Sequence, residues 1–514
     1  MKRRMLPAVV LCMAAMVSTE AAWTHLGGDA THASHGSGAP ARLDHVLWQA
    51  QPVDVPPHVE EFAWRCGLVA TDDAVFVAAR WYEPDDEGWL EHTGNALICY
   101  ASADGTRRWA APLPPDTLDS WSTPCVDEPR GSVLVAAGNT LHALRISDGA
   151  PLWQTVLPRS IVNASPTVTT DLTNGGVPAN RVFITDYTGF GTGGQLYAIN
   201  VDPFDATHNP LAPGAVAWSA LVGGTSGNTV AYADGRVFVA SSRGGHIRAF
   251  DALNGGVAWA TDTGITQLST YAGFFGGVSV RGDAVYAAAY NFVGTGNNSR
   301  LYRLDAATGA IRWHAPCERT SSTPVLGDDG LIYVSAGTRD YGATVKVQAF
   351  ADLDVTAALV WDTARDGGPT VGGWTHQPLL SDGRLYVGAP DESVFFAPYT
   401  ALHVLDVAAA PGDDDFVVGT HSGSGGTPAL AAGRLFSVGA DGLFAFGSAL
   451  TPGDVNCDGA VDTADIDAFV LALVDSAGYA AAFPACNRLN ADLNGDGAVD
   501  TADIDGFVAA IVGG

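Results

Sequence analysis

Two twelve-residue stretches near the C-terminus carry the densest chemistry of the chain. Asp454–Asp465 reads D-V-N-C-D-G-A-V-D-T-A-D, and Asp492–Asp503 reads D-L-N-G-D-G-A-V-D-T-A-D. Each places hard oxygen donors at positions 1, 3 and 5, glycine at 6, an apolar residue at 8 and a carboxylate at 12. This is calcium-loop spacing. Carboxylate and amide oxygens suit a hard cation, the glycine permits a sharp turn, position 7 lends its carbonyl, and position 9 holds a water. The expected ligands are Asp454, Asn456, Asp458 and Asp465 with the Ala460 carbonyl and Asp462, then Asp492, Asn494, Asp496 and Asp503 with Ala498 and Asp500. Two calcium ions are the cofactors this spacing predicts.

Such loops need helices to hold them. Ile466, Phe469, Val470 and Leu473 follow the first loop, and Ile504, Phe507, Val508 and Ile511 follow the second. Both sets have the i, i+3, i+4, i+7 spacing of an apolar helical stripe. A duplicated loop-then-helix unit with Asp at position 12 resembles type I dockerin, most of all the dockerin-like modules of exported planctomycete-type proteins. The resemblance implies a small all-α, EF-hand-like module over 454–514, reached through a linker at 448–453. It also implies docking to a cohesin-like or other extracellular scaffold protein. The family's partner-reading positions, 10 and 11 of each loop, are Thr463, Ala464, Thr501 and Ala502.

Most of the remaining chain is a repeat. Leu301–Trp313 reads L-Y-R-L-D-A-A-T-G-A-I-R-W, Ile247–Trp259 reads I-R-A-F-D-A-L-N-G-G-V-A-W, and Leu141–Trp153 and Leu97–Trp109 follow suit. Each copy is a strand, a glycine turn and a second strand ending in Trp. A further hairpin precedes each, as at Thr229–Ala240 and Gln377–Gly388. Four antiparallel strands per repeat, with repeats starting 41 to 55 residues apart, predict propeller blades. Eight second hairpins can be counted, and the eighth lacks its last strand. His45–Gln49, with Trp48, is expected to supply it and close the ring.

The lines containing Asp305, Thr308, Gly309 and Trp313, and Asp251, Gly255 and Trp259, resemble the quinoprotein-type eight-bladed propeller. The fold expected is therefore mainly β: an eight-bladed propeller over 45–447 with an N-terminal closing strand, plus the α module. Dehydrogenases of that family hold pyrroloquinoline quinone and calcium in the central funnel. Here no two cysteines are adjacent and no Asp/Glu/Asn set can be assigned to a funnel calcium, so the quinone is not expected. Glu318, Arg319, His376, Trp374 and Asn163 stand where the funnel should be, each with a local hydrogen-bonding role as the simpler reading.

The turns inside hairpins are tight, while the connections on the opposite face are long and aromatic. Trp81–Asn95 carries Trp81 and Trp89; Asp391–Thr400 carries Phe395 and Phe396; Trp121 and Trp374 lie between blades. Trp81, Trp89, Trp121 and Trp374 are the expected contacts for a glycan or peptide partner.

The N-terminus supplies the setting. Lys2, Arg3 and Arg4 precede a short apolar run, so 1–21 reads as a signal peptide and 22–44, with His25, His32 and His35, as a linker. An exported chain permits disulfides, and Cys457 pairs most simply with Cys486; the state of Cys66, Cys99, Cys125 and Cys317 stays open. No run is long enough to span a membrane. The net charge is −29, and the only lysines are Lys2 and Lys346, which excludes nucleic acid as partner. The function expected is a secreted, extracellular or cell-surface binding scaffold. The alternative is a carbohydrate-active enzyme or a quinone-dependent dehydrogenase with its site in the funnel.

Overall fold

A computed structural model describes residues 22–513, apart from 64, 86, 116–119, 295, 392–397, 448–450, 484–485 and 495–497. The expected signal peptide, Phe395, Phe396 and Asp496 lie outside these residues. The chain divides into two units, Ala22–Ala449 and a second that includes Leu450–Gly514.

The first unit is a propeller of eight antiparallel sheets, each built on four main strands. Blade 4 is typical: Ala231–Ala233, Arg236–Ala240, His246–Asp251 and Val257–Asp262, innermost strand first. Alternating apolar residues let each blade bury both faces against its neighbours. Phe238 and Trp259 of blade 4, for example, share a core with Val280, Val285 and Tyr302 of blade 5. Trp259 lies under the outer turn of blade 5, where Gly309 has φ of +72° and an added Cβ would stand 2.4 Å from the indole. Gly309 is thus required twice, by the left-handed backbone and by the ring beneath it.

Blade 8 is closed from the N-terminal side. Val46–Ala50 pairs antiparallel with Gly442–Phe446, Val46 opposite Phe446 and Ala50 opposite Leu443. The expected strand is present, one residue later than placed. The Trp81–Asn95 segment differs from expectation: it is mostly strand, Ala74–Pro84 pairing with Leu90–Ala101 as one long hairpin.

The expected linker at 22–44 is instead structural. Its backbone circles the axis and meets the innermost strand of one blade after another. Ala70 of blade 1 donates to the Trp23 carbonyl at 2.9 Å, and Val126 of blade 2 to Thr24 at 2.8 Å. Val168 of blade 3 donates to His25 Nε2 at 3.1 Å. Tyr232, Val280, Leu326 and Leu380 of blades 4 to 7 donate to the carbonyls of Ala30, Thr31, Ala33 and Ser34 at 2.7–2.9 Å. His35–Gly36 then runs parallel to Leu379–Ser381. Inner strands of blades are sheet edges, and their inward amides need acceptors once buried. The segment supplies them. Its Gly/Ser/Ala-rich composition suggested a linker; what overrode that reading is hydrogen bonding to seven separate blades.

Among its described residues the second unit contains three α-helices: α1 (Ile466–Val474), α2 (Ser476–Ala482) and α3 (Ile504–Gly513). Its core gathers Val455, Ala468, Phe469, Ala472, Tyr479, Ala491, Val499 and Phe507.

Candidate functional site

Two places concentrate polar groups: the axial funnel of the propeller and the paired acidic loops of the second unit.

A girdle of hydroxyls and amides rings the funnel just before the inner strands. The Gly67 amide donates to Thr123 Oγ1 at 2.8 Å, Thr123 to Ser165 Oγ at 3.0 Å, and Ser165 to Thr229 Oγ1 at 3.0 Å. Further round, Thr323 donates to Gln377 Oε1 at 2.9 Å and Gln377 to Thr427 Oγ1 at 3.1 Å. At these five seams the later blade thus satisfies its predecessor, and these acceptors are engaged by neighbouring blades rather than by the axis. Leu26 of the N-terminal segment, with Trp121 and Asn163, lines an axial pocket of about 20 Å³. That is about room for a water, and this pocket is too small for a tricyclic quinone.

The expected funnel residues are engaged locally. Glu318 and Arg319, each 1 % exposed, form one network. Lys346 Nζ lies 3.8 Å from Glu318 and 3.5 Å from Asp362, and Arg319 donates to the Gly294 carbonyl, tying down the blade 5 loop. His376 accepts from the Gly388 amide at 3.0 Å, and burial lowers its pKa to about 3. Asn163 Oδ1 faces the Trp121 amide at 3.4 Å.

The loop-face aromatics largely pack on one another. Trp374 meets Trp121 with ring centroids 5.8 Å apart and Tyr290 at 5.4 Å, and Phe292 meets Tyr290 at 4.6 Å. Trp121 and Trp374 are half-buried. Trp81 is a strand residue stacked on His58 at 4.8 Å, with its indole donating to Glu60, so it is not a free loop contact. Trp89, 71 % exposed, sits at the tip of the long hairpin. Phe190, 66 % exposed, was not singled out from sequence; Arg243 lies over it at 5.0 Å.

In the second unit the two loops fold alike. Asp465 Oδ1 accepts from the amides of Val455 and Asn456 at 2.6 and 2.9 Å, and its Oδ2 from Asp462 at 3.0 Å. Asp503 repeats this on Leu493, Asn494 and Asp500 at 2.8, 3.1 and 2.9 Å. In both copies the position-9 Asp caps the turn at positions 10 to 12, its side chain accepting from Ala464 or Ala502. Position 12 therefore closes the loop onto its own start. Position 1 faces the same centre: Asp454 accepts from Asp458 and Gly459 amides at 3.1 Å each. Burial raises its pKa, and the like charges of Asp465 and Asp458 add to the shift. For Asp503 burial opposes ionisation, but the amides of Asp500, Asn494 and Leu493 outweigh it and lower the pKa.

The donor set at the first loop is all oxygen and strongly anionic, which fits calcium chemistry. Among the described residues, though, no three His, Cys, Asp or Glu side chains already stand in ligating geometry. The carboxylates serve the loop's own amides and would have to draw together around an ion. Cys457 and Cys486 form a disulfide, with Cα atoms 5.6 Å apart. Cys99, Cys125 and Cys317 are free and buried, and Cys66 is partly exposed, its thiol donating to the Ser120 carbonyl. The expected docking residues Thr463, Ala464, Thr501 and Ala502 are all exposed. The apolar stripes split: Phe469 and Phe507 are buried, whereas Ile466, Val470, Val474 and their counterparts Ile504, Val508 and Val512 are exposed by 39–81 %.

Comparison with known proteins bears on the propeller. The family model for outer membrane protein assembly factor BamB matches in overlapping stretches, 41–202, 176–287 and 245–409. BamB of Moranella endobia (strain PCIT) is 27 % identical over 179 residues, which span 32 % of this chain and 40 % of that one. Serine/threonine-protein kinase AfsK of Streptomyces griseus is 36 % identical over 124 residues, 24 % of this chain and 14 % of that one. The chain thus matches less than half the length of either relative. Among solved structures, quinohemoprotein alcohol dehydrogenase from Comamonas testosteroni superposes with a TM-score of 0.52 at 12 % identity, covering 92 % of this chain and 87 % of that one. Quinohemoprotein alcohol dehydrogenase ADHIIG of Pseudomonas putida HK5 gives 0.51 at 11 %, covering 86 % and 78 %. At such identity the likeness to these two shows the fold alone. With the matched stretches covering most of the ring, the chain belongs to the PQQ-repeat propeller family described as outer membrane protein assembly factor BamB.

Proposed function

We propose that the protein is an exported, non-catalytic interaction scaffold. Its propeller presents surfaces to a protein or glycan partner, and its C-terminal module binds two calcium ions and anchors the chain to an extracellular or cell-surface assembly through a cohesin-like partner. The observation that carries the reading is the axial funnel: among the described residues its polar groups are turned to neighbouring blades, and the pocket where the chain's own N-terminal segment enters it holds only about 20 Å³. A catalytic pocket of this fold would need convergent groups around a substrate-sized space. Membership of a family described as an assembly factor supports the same side. For the tail, support comes from the twin loops, their position-12 closure and the exposed residues at positions 10 and 11.

The test is calorimetry of the full chain in chelator and in excess calcium. A ligand that binds only the folded module raises that module's melting temperature by mass action. Calcium should therefore shift one transition and leave the propeller's in place, and Asp465→Ala should abolish the shift. Identical traces with and without calcium would remove the metal assignment. Pull-down with a cohesin module, with and without chelator, tests the anchor separately.

A further inference from the structure

The seam between blades 6 and 7 lacks a clasp that five other seams share. At five other seams the blade-ending Trp lies against the glycine of the next blade's outer turn: added Cβ atoms at Gly105, Gly149, Gly214, Gly255 and Gly309 would stand 2.4–3.0 Å from the rings of Trp48, Trp109, Trp153, Trp218 and Trp259. Four of those indoles also donate across the seam, to the carbonyls of Ser102, Ile146, Ala252 and Ala306 at 2.9–3.1 Å. Trp361 of blade 6 has the same place in the repeat. It is 5 % exposed, yet its indole N–H meets no acceptor among the described residues. The outer turn of blade 7 runs D-V-A-A-A-P-G-D-D-D-F from Asp406 to Phe416, and its Phe416 packs edge-on against the Trp361 ring at 5.6 Å, leaving the indole N–H without an acceptor.

The gap is a groove. Its outer half, about 400 Å³, is lined by Val360, Trp361, Ala408 and Pro411. Sharing Leu331, Val407 and Ala408 with it, an inner half of about 710 Å³ runs toward the axis. There the lining includes Asp328, Asp329, Asp382 and Asp406, against Arg384 and the imidazole of His35. The Asp328 side chain is 74 % exposed and lies 3.3 Å from both His35 Nε2 and Arg281 Nη1, so four carboxylates there face two guanidinium groups and an imidazole. The groove thus offers apolar walls and a buried unmet donor at one end, and a surplus of carboxylates at the other.

We propose that the groove between blades 6 and 7 docks an extended peptide segment of a partner protein. The segment places apolar residues and a backbone carbonyl over Trp361 and an arginine or lysine among the carboxylates near the axis. An unmet buried indole N–H calls for a carbonyl. A carboxylate-lined cleft selects a cation and rejects an acidic segment. The proposal rests on the scaffold reading of the propeller and not on the calcium module.

The experiment uses the full chain and two labelled ten-residue peptides, one alternating arginine with leucine and one alternating glutamate with leucine. Fluorescence anisotropy should show the arginine peptide binding and the glutamate peptide not. Ala408→Arg, at an exposed position, should block the groove and weaken binding at least tenfold. Trp361→Phe keeps the ring and removes the donor, and should weaken it roughly fivefold; Asp328→Asn should do so by a smaller factor. Absence of binding by the arginine peptide, equal binding of both peptides, or binding unchanged by Ala408→Arg each overturns the proposal. Unchanged binding in Ala408→Arg would mean diffuse attraction to an acidic surface. Chelator should leave the peptide result as it is, so a failure here is separable from a failure of the calcium-dependent anchor.

Discussion

Phe469 and Phe507 stack face to face, with ring centroids 3.8 Å apart and planes within 4°. They occupy the same position in the two loop–helix copies, so the module is a pseudo-twofold pair closed through its own repeat. Each is 3 % exposed, and the core around them is small. Phe469→Ala should therefore destabilise the module by about 3–5 kcal/mol. Calorimetry should show the loss in that module's transition. An unchanged transition would mean that the stacked pair does not hold the copies together.

The disulfide acts on the same small core. Cys457 and Cys486 are separated by 29 residues, so chain entropy predicts about 3–4 kcal/mol of stabilisation. Cys457→Ser with Cys486→Ser should lower the module's stability by that order. The buried thiols of Cys99, Cys125 and Cys317 make no pair and should not respond to mild reductant. If reduction moved the propeller transition more than the module's, this division would be wrong.

The funnel girdle makes a different claim. Thr123 Oγ1 accepts from the Gly67 amide, and the Thr123 amide in turn donates to Ser165. Thr123→Val keeps the shape and removes the acceptor. One buried amide is left unmet, at a cost of about 1–3 kcal/mol. Urea unfolding of the propeller should show that loss with little change in m. A neutral result would mean the girdle is a by-product of the ring and not part of its stability.

Much of this was legible in the chain. The repeats around Trp259 and Trp313 declared blades, because glycine turns and blade-ending tryptophans are local signals. The closing strand at Trp48 followed from counting hairpins. The calcium-type loops were legible for the same reason, since ligand order is carried by adjacent residues. The N-terminal belt was not. Residues 22–36 lack a period, and their structure comes from amides on seven distant blades, which no local pattern announces. Trp81 was misplaced because an extended hairpin and a long loop share one composition. The helix stripes were legible as apolar faces, but their spacing did not say that Val470 and Val508 face solvent, because each helix covers only a narrow core. The blade 6–7 groove needed the absence of a clasp at Trp361, visible only against the clasps elsewhere.

The belt's histidines set the acid limit of the propeller. His25 is 4 % exposed, and burial, with the neighbouring His32 adding to it, lowers its pKa to about 3. His376 is fully buried, and burial does the same. His32 is also lowered by burial, though carbonyls of Leu26 and Val230 and the Asp29 carboxylate oppose it. In the unfolded chain each titrates near its ordinary value of about 6.5. Above that pH both states are neutral and stability is full. As pH falls from about 6.5 toward 3, the unfolded state takes up protons that the folded state refuses, so stability drops by about 1.4 kcal/mol per pH unit for each such histidine. Asp127 works against this. Burial raises its pKa to about 6 in spite of Arg130, so below that pH the folded state holds a proton that the unfolded chain does not yet take. That offsets one histidine between about pH 6 and 4, and a net loss remains. Unfolding in urea at stepped pH should show stability declining steadily below pH 6.5, with His376→Gln and His25→Asn each flattening the slope. A propeller equally stable at pH 6.5 and pH 4.5 would show that these imidazoles accept protons in place, and that the belt is looser than its seven-blade hydrogen bonding implies.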